Sequence, residues 1–242
     1  MTQYLAIITA YGAVAILVWL SALLYPRLIP AALGCGTDRR WRRAGLFALA
    51  ALTFVVLEYL RGFWLVQIGE TLFLAVLIQV VIYLPFLGYI LLCGGRRAAF
   101  VPERGALRSL LIGVGLAILA LVAYLSTFMP GASTVTTPSF SAADSIVIVT
   151  QTLMQTLALG AFLAMISEGW SARLALTLSS LVIVVFHVPE IMQSGLSAAW
   201  LGPVLVHLAI GLGLFSAVLF TRNIVWFWPV YAVLALAQTM SA

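Results

Sequence analysis

Glu58, Gln151, Gln155, His187, Glu190 and His207 carry the side chains best suited to acid–base or hydrogen-bonding chemistry in this chain. Glu58 stands three residues before Arg61, Gln151 four before Gln155, and His187 three before Glu190. On a helix, three- or four-residue spacing puts both members of a pair on one face. Glu58 and Arg61 are therefore expected to neutralise each other as an ion pair. The two glutamines offer amides for bonding between helices. Glu190 can orient or charge the His187 imidazole, and His207 stands by itself in another apolar run. A hydrolytic site built from this set would use His187, Glu190, Glu58 and His207. A binding site would use Gln151, Gln155, His187 and His207.

Other chemistries lack their signatures. There is no H-E-x-x-H, no pair of histidines four apart and no Cys/His cluster, so no metal and no cofactor is expected. There is no G-x-S-x-G, and Ser179 and Ser180 are too far along the helix from any histidine to form a dyad with it. Gly-rich phosphate loops are absent; Gly211 and Gly213 read as small residues for close helix packing. Cys35 and Cys93 lie in or beside Arg-rich loops and are expected to be free thiols.

These residues must be positioned by helices in a membrane. Of 242 residues, 64% are hydrophobic and 8% charged, against about 25% charged in soluble domains, which excludes a water-soluble globule. Eight apolar runs follow one another: Tyr4–Leu24, Ala44–Trp64, Thr71–Cys93, Ser109–Met129, Ser145–Ile166, Arg173–Val188, Ala198–Phe220 and Ile224–Ala242. Each approaches the roughly 20 residues that a spanning helix needs, and the sixth is the shortest. The first lacks a basic n-region and a cleavage site, so it reads as a retained span. The expectation is an all-α, polytopic helix bundle with about eight transmembrane helices, forming a single transmembrane domain over 1–242.

The charges orient the bundle. All twelve basic residues are arginine. Arg27, Arg39, Arg40, Arg42 and Arg43 fall in the first connection, Arg96, Arg97, Arg104 and Arg108 in the third, Arg173 in the fifth and Arg222 in the seventh. The positive-inside rule then places the odd-numbered connections in the cytoplasm and both termini on the non-cytoplasmic side. A net charge of +5 is thereby explained without nucleic acid. The implied location is a cell membrane, inner or cytoplasmic, with lipids and another membrane protein or peptide as partners. In this topology Glu58, Gln151, Gln155, His187 and Glu190 share the outer half of the bilayer, with His207 just beneath. Glu168, about 28 Å of helix from His187, and Arg173 belong to the cytoplasmic rim. The outer connection Pro130–Asp144 reads as a surface loop, with a lid as the alternative.

In the second half of the chain, Met154–Gly160, Trp170–Pro189 and the set Thr221, Arg222, Trp226 and Pro229 together resemble the E-E-x-x-x-R-G, F-x-x-x-H and T-G-x-x-W-x-P motifs of the CAAX-protease and bacteriocin-processing (CPBP, or Abi) family of intramembrane proteins, which has eight helices and carries these motifs and H-x-x-x-N on its last four. Met154–Gly160 stands where the first motif falls, and Trp170–Pro189 is similar to the second-motif helix, with His187 as its histidine. Thr221, Arg222, Trp226 and Pro229 echo the T-G-x-x-W-x-P segment. The resemblance divides the chain into four N-terminal helices (1–130) and a CPBP-like four-helix core (145–242). It also implies that catalytic residues have been lost. Met154 and Gln155 replace the tandem glutamates, Leu159 the arginine, Ile183 the phenylalanine, Val233 the last histidine and Ala237 the asparagine. The family's mechanism uses a glutamate-activated water and histidines around the oxyanion. The implied function is a pseudoenzyme: a scaffold, assembly or immunity factor binding a partner helix, peptide or lipid in an intramembrane cavity. The alternatives are an active intramembrane hydrolase with a rearranged site and an accessory subunit of a larger complex containing pigment or haem.

Overall fold

The computed structural model describes residues 2–34, 39–64, 71–128, 142–186 and 201–239. These form eight α-helices: α1 (Thr2–Leu24), α2 (Arg40–Trp64), α3 (Leu72–Leu92), α4 (Ala106–Phe128), α5 (Ala142–Gly169), α6 (Ala172–Phe186), α7 (Leu201–Thr221) and α8 (Phe227–Thr239). One 3-10 segment, Gly95–Ala99, joins α3 to α4, and no strand occurs among the described residues. Helices α1 to α5 and α7 are long and apolar enough to cross a membrane. The chain is thus an all-helical, multi-pass membrane protein.

Three expectations need correction. The last run yields a helix of only 13 residues, about 20 Å long against a hydrocarbon core of about 30 Å. Its first residues, Ile224 to Trp226, are spent on irregular backbone whose Ile224 and Trp226 side chains are buried inside the bundle, where apolar side chains are needed for a reason other than helix formation. Helix α2 begins at Arg40 rather than Ala44, so three arginines of the first connection ride on its first turn. Helix α5 begins at Ala142, which takes Asp144 out of the loop.

Packing follows a closed circuit. Helix α5 touches α6, α6 touches α7, α7 touches α1, α1 touches α4, α4 touches α8, and α8 returns to α5. Helix α3 lies against α5, and α2 packs on α3 with a smaller contact to α5. Six hydroxyls are satisfied locally: Thr9, Thr53, Thr127, Thr177, Ser180 and Thr221 each donate to the carbonyl four residues earlier. In an apolar medium this spares the helix the cost of an orphaned donor. Glycines let backbones meet. A Cβ on Gly160 of α5 would lie 2.5 Å from the Ala99 carbonyl oxygen, and one on Gly113 of α4 would lie 2.5 Å from that of Trp226.

Candidate functional site

Two polar centres form, at different levels of the bundle. The first surrounds Gln155. The Tyr231 hydroxyl on α8 donates to Gln155 Oε1 on α5 at 2.7 Å. Tyr83 of α3 engages the same amide and lies within electrostatic reach of Tyr231, Glu58 and Arg61, while Tyr11 of α1 faces Tyr231. Phe227 stacks on the Tyr231 ring at a centroid distance of 5.7 Å. Gln151, half-buried, lies one turn earlier on α5. Helices α3, α5 and α8 thus meet at one carboxamide. An amide and phenols can donate and accept hydrogen bonds, but at neutral pH none of them takes a proton from water.

The remaining residues singled out in the sequence fall in different places. Glu58 and Arg61 form the expected ion pair at 2.8 Å, both partly exposed. His187 and Glu190 lie outside the described residues, as does Cys35. His207 is half-buried on α7, four residues before Gly211, which packs against Ser180 of α6. Four residues is one turn, so His207 shares the face of α7 that carries Gly211, while Gln155 lies on the α5–α8 seam. Ser180 spends its hydroxyl on the Leu176 carbonyl at 2.8 Å.

The second centre lies at the Arg-rich end. Glu168, in the last turn of α5, accepts from Arg222 Nη2 at 2.6 Å and from Arg43 Nη1 of α2 at 3.3 Å. Each helical charge here sits at the pole of its helix that disfavours it: a cation in the first turn of α2, a carboxylate in the last turn of α5. Pairing across the two helices offsets both penalties. Gly34 passes so close that a Cβ would lie 2.8 Å from Arg222 Nη2 and 3.0 Å from Glu168 Oε1. A cavity of about 350 Å³ opens beside Glu168, Ser167, Arg222 and Phe100. The Arg222 guanidinium rests 5.5 Å from the centre of the Phe100 ring. Burial pushes the nearby Cys93 thiol up from its ordinary pKa, while Arg43 and Arg42 pull it the other way; the thiol is free.

Beside the triad, Asn223 is completely buried and joins three parts of the chain. Its Nδ2 donates to the Pro30 carbonyl at 2.6 Å and to Ser109 Oγ of α4 at 2.7 Å, and its Oδ1 accepts from the Val225 amide at 2.9 Å. Sequence reasoning placed Glu168 at this rim without its partners and passed over Asn223. The available signal was a carboxylate and an amide at the ends of apolar runs, each too expensive to bury without a bond.

The fold and these centres define a multi-pass helical membrane protein with an intramembrane amide–tyrosine cluster and a separate ionic end. Comparison with protein-family profiles, with curated proteins and with solved structures finds no match to this chain.

Proposed function

We propose that the chain is a non-catalytic, CPBP-like integral membrane protein of the inner (cytoplasmic) membrane. It acts as a scaffold, assembly or immunity factor and holds a partner helix, peptide or lipid between its helices. The observation that carries this reading is the Tyr231–Gln155 bond. The resemblance puts a water-activating glutamate at position 155 and a histidine at position 233, on helices that do face each other. An amide held by a phenol keeps that seam polar without supplying a base. Arg222 adds support. It takes the place of the motif's glycine and has φ 49°, a left-handed conformation that glycine adopts without strain. Thr221 and Trp226, the neighbouring echoes, touch through an indole-to-hydroxyl bond of 3.2 Å, although the segment has one residue more on either side of Trp226 than the motif has.

The test places a photoreactive residue at position 151 of the full chain in lipid vesicles that contain a transmembrane reporter peptide. Adducts to the peptide or to lipid with the reporter intact are expected. Cleavage of the reporter that disappears in His187→Ala would overturn the proposal in favour of a rearranged hydrolase.

A further inference from the structure

At the Arg-rich end a cavity of about 450 Å³ opens where the end of α1 meets the start of α4, lined by Leu24, Tyr25, Pro26, Arg27, Leu28 and Arg108. Its chemistry differs from that of the cavity beside Glu168, which carries its own counter-charge. Here Arg27 and Arg108 both line one space, and among the described residues no carboxylate does. Both arginines are exposed, and among the described residues neither enters an ion pair. Arg108 also stands in the first turn of α4, where the helix dipole already disfavours a cation. Two like charges held there lower their energy by sharing an anion.

The cavity is built in advance of any ligand. Asn223 ties Pro30, three residues after Arg27, to Ser109, the residue after Arg108. Gly105, at φ 77°, lets the Pro30 ring settle on the entry to α4, since a Cβ there would lie 2.7 Å from it. Both walls are thus fixed to one buried amide, which reduces the ordering cost of binding.

We propose that this cavity seats the phosphodiester headgroup of an anionic phospholipid. Leu24 ends a spanning helix and is 69% exposed, and Tyr25 beside it is 66% exposed, so an acyl chain and the headgroup boundary meet their natural contacts there. Guanidinium groups take phosphate oxygens in pairs, and basic pockets between helices on the cytoplasmic side are the kind of site that anionic headgroups fill. A free phosphate would satisfy the arginines and leave the apolar half of the cavity unused. The site is separate from the Gln155 seam, so it stands or falls independently of the function proposed above.

Native mass spectrometry of the full chain in mild detergent, titrated with phosphatidylglycerol, phosphatidylcholine or inorganic phosphate, tests this directly. Phosphatidylglycerol is expected to bind first. Each arginine near an anionic surface is worth about fivefold in affinity, so Arg27→Gln with Arg108→Gln weakens it tenfold or more. Arg96→Gln with Arg104→Gln, the same charge change at the same end, leaves it within about twofold, because those side chains lie outside the cavity. Arg27→Lys with Arg108→Lys keeps the charge but not the paired bonds, so it is expected to bind more strongly than the glutamine pair and less strongly than the parent, which shows that loss in the glutamine pair is not misfolding. Equal loss in both glutamine pairs, no loss in either, no preference over phosphatidylcholine, or equal binding of inorganic phosphate overturns the proposal.

Discussion

Removing the charge of Glu168 is expected to destabilise the bundle more than removing any other carboxylate on the described helices. The side chains of Glu168 and Arg43 are each only 8% exposed, whereas Arg222 is 41% exposed. Taking one partner from a buried pair costs about 3–5 kcal/mol, because the other charge stays buried without its counter-ion. The bond to Arg222 adds at most about 1 kcal/mol, since that guanidinium can turn to water. The cavity beside Glu168 admits water and brings the total to the lower end, about 3 kcal/mol, or roughly a hundredfold in the unfolding equilibrium. Reversible unfolding of Glu168→Gln in mixed micelles, followed by tryptophan fluorescence, measures it. Glu58→Gln serves as comparison: its pair with Arg61 is half-exposed, and an i,i+3 pair of that kind is worth about 0.5 kcal/mol. Replacing both buried partners, Arg43→Met with Glu168→Met, is expected to recover most of the loss, because the desolvation cost disappears with the charges. If Glu168→Gln were no more harmful than Glu58→Gln, or if the double replacement were worse than the single one, the triad would not be the ionic brace described here.

Tyr231→Phe leaves Gln155 Oε1 without its donor and is expected to cost about 0.6 kcal/mol, the usual value of an interhelical bond in a bilayer; a double-mutant cycle with Gln155→Leu that shows no coupling refutes the pairing. Gly160→Ala should destabilise by about 1–3 kcal/mol, since the new Cβ would lie 2.5 Å from a backbone oxygen, while Gly115→Ala, with open space around it, should be neutral or mildly stabilising; equal melting shifts would contradict the packing. In a Cys35→Ser background, Cys93 should react with maleimide at pH 8 more slowly than a free thiol, because its raised pKa lowers the thiolate fraction, with the rate climbing at higher pH. Glu168→Gln should speed that reaction, since Arg43 then acts on Cys93 without a carboxylate beside it; an unchanged rate would separate the two groups.

The helices were legible because hydropathy alone decides which segments a bilayer accepts, and all eight runs became helices. What hydropathy cannot show is the buried connection. Ile224, Val225 and Trp226 read as the start of a span, yet they are irregular backbone, with Ile224 and Trp226 packed inside protein, where apolar side chains are just as necessary. Nor does it give pairing. Arg43 is 125 residues from Glu168, and nothing local distinguishes it from Arg40 or Arg42, except that one face of α2 turns inward and only Arg43 lies on it. Gln155 was recognised as a costly polar group, but its partner is a tyrosine, a residue that passes for apolar in a composition count. Tyrosine's ring satisfies the hydropathy of the helix while its hydroxyl satisfies the amide.

The two centres differ in what it takes to part them, and that bears on where a partner enters. At the Arg-rich end, three connections are knitted by main-chain bonds as well as by charge. The Ile224 amide donates to the Phe100 carbonyl at 3.1 Å, and the Ala32 amide to the Arg222 carbonyl at 2.9 Å. Backbone lacking a helical partner cannot lose such bonds inside a membrane protein without finding others. Around Gln155 the seam between α5 and α8 is held by hydrogen bonds from side chains, worth a fraction of a kcal/mol apiece, and by aromatic packing. An incoming amide or hydroxyl replaces a bond of that kind one for one, whereas nothing apolar replaces a carboxylate between two guanidinium groups. On the proposed scaffold function, the expected place of entry for a partner is therefore between α5 and α8 at the Gln155 level, with the Glu168 triad and Asn223 keeping the opposite end closed.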